Sequence, residues 1–136
     1  MVRWPATLVA AQARLVLIEH VSNETVIDLA GEADSGGDAL VFSNELYDDR
    51  NVNHVGSSHG SCVCTMVGQS WDCTFTNPME HGSLVVVGPF YDAGGGSFVI
   101  VGGTGDYADA DGQMALKTSP TSATEHPERE FTFDIR

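Results

Sequence analysis

From residue 13 to residue 135 apolar and polar side chains alternate in short runs, and Gly, Asp and Asn interrupt them at intervals. A period of two is the signature of strands with one buried face. The runs predict strands over 13–21, 26–30, 39–47, 54–67, 70–77, 83–90, 97–102, 112–118 and 129–135, with no long helix. So many short strands in one chain of 136 residues predict an all-β fold. The expected form is a small closed antiparallel β-barrel of about eight strands, because closure removes the exposed edges.

Alternate residues of a strand point to opposite faces, so parity assigns an interior. Leu15, Leu17, Glu19 and Val21 share one face of the first strand, with Arg14 and His20 on the other. In the third strand Phe42, Asn44 and Leu46 share a face against Ser43 and Glu45. Around the cysteines Gly60, Cys62, Cys64 and Met66 fall together, and past the turn at Val67, Gly68 and Gln69 so do Trp71, Cys73 and Phe75. Phe131, Phe133 and Ile135 alternate with Thr132 and Asp134 in the last strand. The predicted interior is apolar and sulfur-rich, with Glu19 and Asn44 as polar exceptions. Residues 93–96 and 101–105 read as glycine-rich turns, and the polar stretch 118–128, with Pro120 and Pro127, as a loop. The second glycine run lacks the Lys and the helix of a phosphate loop.

The length suits one domain, read as 13–136 behind an N-terminal extension of residues 1–12. Lys and Arg number 6 against 19 Asp and Glu, a net charge of −13, which repels a nucleic-acid backbone or an anionic membrane surface. Carboxylates in expected turns, such as Asp48 and Asp49 or those between Asp106 and Asp111, read as a solvated acidic surface. No run is long enough for a spanning helix, and the apolar stretch after Arg3 is too short for a secretory signal. With three cysteines, which cannot all pair internally, the cytoplasm is the expected compartment.

An inward carboxylate without a partner costs several kcal/mol unless it takes up a proton. Glu19 is therefore either a strand-end group reaching solvent at a barrel mouth or a carboxyl of raised pKa suited to acid, base or electrostatic work. Asn44 either donates to an oxygen gaining negative charge or satisfies backbone at an irregularity. Cys62, Cys64 and Cys73 lack the spacing of a zinc site. Cys64 and Cys73 could face one another across a hairpin and form a disulfide under oxidising conditions, with a buried, inert thiol as the default reading. His54, His59 and His81 fall near strand ends or turns and read as surface residues, and Ser57, Ser58 and His59 lack a nucleophile elbow.

Four blocks in one order resemble the allene oxide cyclases and, more loosely, the dirigent proteins. They are Gly37 to Tyr47, containing Phe42-Ser43-Asn44-Glu45-Leu46-Tyr47; Val55 to Cys62; His81 to Phe90, ending Gly88-Pro89-Phe90; and Phe98 to Lys117, with Gly102-Gly103-Thr104-Gly105 and Gly112-Gln113. The resemblance implies an eight-stranded barrel that needs no cofactor or metal. In its cavity a hydrophobic reactive intermediate, an oxylipin epoxide or a polyketide chain, closes to a ring; the alternative is a non-catalytic carrier or dirigent-like module. It places Glu19, Asn44 and Cys62 at catalytic positions. It departs from the family at Val21, where an asparagine is expected unless Asn23 shifts in, and at Phe90, where a tyrosine is expected. Val21, Phe42, Cys64, Trp71, Phe75, Phe90, Met114 and Phe133 are the expected substrate walls. A hydrophobic small molecule is the expected partner, without nucleic acid or membrane insertion, and homo-oligomers occur in the family. Confinement in such a pocket is worth roughly 7–11 kcal/mol in favourable cases.

Overall fold

The computed structural model describes residues 13–28 and 35–136. The expected extension 1–12 and the end of the expected strand 26–30 lie outside the described residues. Nine antiparallel strands follow one another: β1 Ala13–His20, β2 Glu24–Ile27, β3 Ala39–Tyr47, β4 His54–Met66, β5 Ser70–Met79, β6 Gly82–Tyr91, β7 Gly96–Gly103, β8 Gly112–Thr118 and β9 Glu128–Ile135. Their order is β1-β9-β8-β7-β6-β5-β4-β3-β2, and β1 also pairs with β3, which closes the sheet into a barrel.

The nine strands make eight staves. β1 pairs with the end of β3, Glu19 opposite Leu46, whereas β2 pairs with its beginning, Glu24 opposite Phe42. The two short strands thus occupy one edge of β3 in succession. The chain between them is held to β3 by the Asn44 side chain, whose Oδ1 accepts from the backbone N–H groups of Ser22 and Asn23 at 3.0 and 2.9 Å.

Cross-strand register stacks the inward side chains in rows. Cys64, Trp71 and Phe90 form the row at one mouth. Below it come Leu40, Cys62, Cys73 and Gly88, then Phe42, Gly60, Phe75 and Val86, then Asn44, Ser58, Asn77 and Leu84. Toward the other mouth lie Leu46, Gly56, Met79 and Gly82. The aromatic row depends on Gly60: the Phe42 and Phe75 rings meet edge to face at 4.9 Å, and a Cβ on Gly60 would lie 1.9 Å from the Thr74 carbonyl oxygen and 3.0 Å from the Phe42 ring. Gly60→Ala is accordingly expected to lower stability by about 2 kcal/mol, read from the urea midpoint at unchanged slope.

The β4–β5 register corrects the cysteine pairing. With Cys62 opposite Cys73 and Cys64 opposite Trp71, the disulfide joins Cys62 and Cys73, and Cys64 is buried outside it. Counting across a regular hairpin misplaces the pair, because the ladder shifts register between Cys64 and Met66 before the turn. A disulfide persists in oxidising surroundings, so the cysteine count no longer argues for the cytoplasm. Among the described residues no helix is long and apolar enough to cross a membrane.

Candidate functional site

Glu19 is wholly buried, 0% exposed, where a strand-end carboxylate at a mouth would be wet. Its partners explain why burial is tolerated. Arg129 on β9 sits directly opposite it, and Arg129 Nη1 donates to Glu19 Oε1 at 3.2 Å and to Glu24 Oε2 at 2.8 Å. Asn44 Nδ2 donates to Glu19 Oε2 at 3.1 Å and to Glu24 Oε2 at 3.2 Å. With Oδ1 taken by Ser22 and Asn23, both ends of the Asn44 amide are in use. Asn44 thus fastens β1, β2 and β3 together and has little left to offer a substrate oxygen.

Two carboxylates share one guanidinium, so the cluster carries an excess of negative charge in a place with little water. Burial pushes the Glu19 carboxyl above its usual range; the charge of Arg129 and the Asn44 hydrogen bond offset this only in part, and the charge of Glu24 adds to the rise. Burial works the other way on Arg129, but the charges of Glu19 and Glu24 outweigh it and hold its pKa above the ordinary arginine value. Arg129 remains the cation.

Arg129 and Glu24 both reach solvent, their side chains 24% and 18% exposed, whereas Glu19 does not. The Arg129 guanidinium carbon lies 5.4 Å from the centre of the Phe90 ring, on a strand three places away around the barrel. Arg129 therefore reaches across the mouth, with a carboxylate pair on one side and an aromatic wall on the other. Its hydrogen bonds among the described residues all leave from Nη1. Trp71, opposite Phe90 on β5, is pinned at the rim by Nε1–H donating to Asp92 Oδ1 at 3.0 Å.

The expected walls divide by depth. Phe42, Phe75, Met114, Phe133 and Cys64 are buried in the core, whereas Trp71 and Phe90 are half-buried against it at the Arg129 mouth. Val21 follows β1 with its N–H bonded to the Pro127 carbonyl. Cys62, expected as a pocket thiol, has no thiol because it is bonded to Cys73. Neither Tyr91 nor Tyr107 replaces the missing tyrosine: Tyr91 is exposed, and Tyr107 lines a cavity reached from the opposite mouth. His59 lies on the outer face, between Ser57 Oγ at 2.7 Å and Ser43 Oγ at 2.9 Å. Among the described residues no group of acidic, histidine or cysteine side chains could hold a metal ion.

Arg129 and Glu24 are the members of the site that the pattern of residues did not single out. The signal was present for Arg129: it has the parity of Phe131 and Phe133, and an inward Glu19 calls for a cation. Glu24 carries no such signal, since it turns inward only because Asn44 draws in the chain before it.

Residues 14–135 match the family described as Dirigent-like protein. No curated protein matches the chain. Among solved structures, a pyocyanin demethylase superposes with a TM-score of 0.77 at 20% identity, covering 91% of this chain and all of that one. A pterocarpan synthase dirigent protein superposes at 0.76 and 15% identity, covering 91% of this chain and 83% of that one. The Diels–Alderase from Streptomyces koyangensis gives 0.73 at 18% identity, covering 95% of this chain and 65% of that one. At these identities the likeness is one of fold.

Proposed function

The chain belongs to the dirigent-like protein family, and we propose that its barrel is a cyclase that takes a hydrophobic, oxygen-bearing reactive intermediate at the Arg129 mouth and guides its closure to a ring. The observation that carries this reading is the position of Arg129: a guanidinium fixed from behind by two carboxylates, stacked on Phe90, and partly open to the mouth. Dirigent proteins and Diels–Alderases with this fold make steering of a ring-forming intermediate a natural use of such a site, although fold alone does not assign it.

The chemistry asked of the protein is modest. Closure joins two ends of one molecule, its electron pairs rearranging within the ligand, and no atom is gained or lost. Phe90 and Trp71 supply an apolar wall that favours a folded chain over an extended one. As the ring forms, negative charge grows on the carbonyl or epoxide oxygen, and the outward N–H groups of Arg129 donate to it in a site with little water. Arg129 is the catalytic residue. Glu19 is a positioning residue, holding Nη1 so that the rest of the guanidinium faces the mouth.

The test is turnover of acyclic, carbonyl-bearing or epoxide-bearing hydrophobic intermediates, read by chromatography. Arg129→Lys keeps the charge but loses the fork and the stacking surface; it is expected to slow closure on the order of a hundredfold with binding retained. Glu19→Gln has a distinctive readout in the pH profile. Because the Glu19 pKa is raised, wild-type activity falls on the acid side above the ordinary carboxylate range, as Glu19 takes up a proton and loosens its hold on Arg129. That acid limb is expected to vanish in Glu19→Gln. Unchanged closure in Arg129→Lys would overturn the role of Arg129 and leave confinement by the walls alone, whereas binding without any closure by the wild type would leave the protein as a carrier.

A further inference from the structure

At the mouth opposite Arg129 lies a cavity of about 720 Å³. Leu15, Leu17, Val55, Met79 and Tyr107 give it apolar walls. On its rim the carboxylates of Asp48, Asp49 and Glu80 outnumber the Arg14 guanidinium, which disfavours an anionic ligand. The volume is that of a small-molecule site, with apolar inner walls and a polar rim that share the lining about evenly.

The row of side chains next below the cavity contains an anomaly. Ser58 and Asn77, on neighbouring strands, belong to the row beneath Gly56 and Met79 and share their inward face. Both are 0% exposed. Asn77 Nδ2 donates to the Leu84 carbonyl at 3.1 Å, but Asn77 Oδ1 and Ser58 Oγ have no hydrogen-bond partner among the described residues. Buried polar atoms are nearly always paired, and two adjacent exceptions form a matched set: a hydroxyl able to donate and an amide oxygen able only to accept. Between them and the cavity stand Gly56, which has no side chain, and Met79, whose Cγ lies 2.9 Å from where a Cβ on Gly56 would be. A methionine is the side chain best able to swing aside, having three soft torsions.

We propose that this mouth is a second binding site, for a neutral apolar molecule carrying one hydroxyl group. The body of the ligand fills the Leu15, Leu17 and Val55 walls, and Met79 moves off Gly56. The ligand hydroxyl then accepts from Ser58 Oγ–H and donates to Asn77 Oδ1. The site is independent of the Arg129 mouth, and its occupancy requires no ring closure.

The probes are para-propylphenol and propylbenzene, which differ only in the hydroxyl. Binding to the whole protein is measured by calorimetry, and the Asn77 side-chain amide is followed by NMR. The phenol is expected to bind about tenfold more tightly than the hydrocarbon and to shift the Asn77 amide signal. Ser58→Ala removes one hydroxyl with little change of volume and is expected to erase most of that advantage, as is Asn77→Leu; Met79→Ala is expected to tighten both probes. Phe90→Ala, at the other mouth, is expected to leave phenol binding unchanged, which keeps this result separate from the outcome at Arg129. Equal affinity for the two probes would overturn the proposal, as would a phenol advantage surviving in Ser58→Ala; Ser58 and Asn77 would then hold only a buried water or each other.

Discussion

Replacing Arg129 by Met is expected to remove about 3 kcal/mol of stability at neutral pH, because it strands Glu19 and Glu24 beside one another with Glu19 fully buried. The methionine fills much of the space of the arginine stem, so the loss reports charge rather than a cavity. The pH dependence identifies the cause. Glu19 has a folded-state pKa above its ordinary value, and removing the cation raises it further. A group with a raised acid pKa favours the folded state fully below its unfolded value, and that contribution is lost as pH rises through the folded value. The gap between wild type and Arg129→Met should therefore narrow as pH falls from about 7 to about 5. The double variant Glu19→Gln, Arg129→Met should recover more than half of the loss. Urea unfolding at the two pH values checks this, and a deficit independent of pH would show that lost packing of the arginine stem on Phe90 dominates.

Removal of the Cys62–Cys73 disulfide is expected to cost nearly as much. The bond joins residues 11 apart in sequence, and the loop it closes in the unfolded chain corresponds to about 3 kcal/mol. The pair Cys62→Ala, Cys73→Ala keeps both positions apolar in the core, and its urea midpoint should match that of the reduced wild-type protein. A loss below about 1 kcal/mol would mean that the reduced hairpin is already ordered when the rest is unfolded. The proposed ring closure should continue in the reduced protein at temperatures where it stays folded, because it is assigned to Arg129 and not to Cys62; activity that depended on the redox state with the fold intact would restore a role for sulfur.

Parity made most of this barrel legible in the sequence. Leu17, Phe42, Leu46, Phe75, Phe131 and Phe133 all fall inside where the period of two puts them, since one buried face leaves a strand no other register. What parity could not convey was the matching of one strand to another. The cysteine pair depends on a one-residue shift near the turn, and β2 runs from Glu24 to Ile27 because it follows an Asn44 cap that the sequence does not display. The inward Glu19 and Asn44 were visible as exceptions to an apolar face. Their consequence, an arginine 110 residues beyond Glu19, becomes visible only once β1 lies against β9. The unpaired Ser58 and Asn77 lie further still from a sequence reading, because a missing hydrogen bond has no pattern.

Because the walls around Arg129 are chiral, a closure guided at this mouth is expected to give a ring of one handedness. This expectation is tested most directly by generating an unstable allene oxide in the presence of the protein and measuring the enantiomeric ratio of the cyclopentenone that forms. A strong excess of one enantiomer is expected with wild type, and a collapse toward the racemate with Arg129→Lys. A racemic product across hydrophobic epoxide and polyene intermediates, with wild type folded and ligand bound, would contradict it.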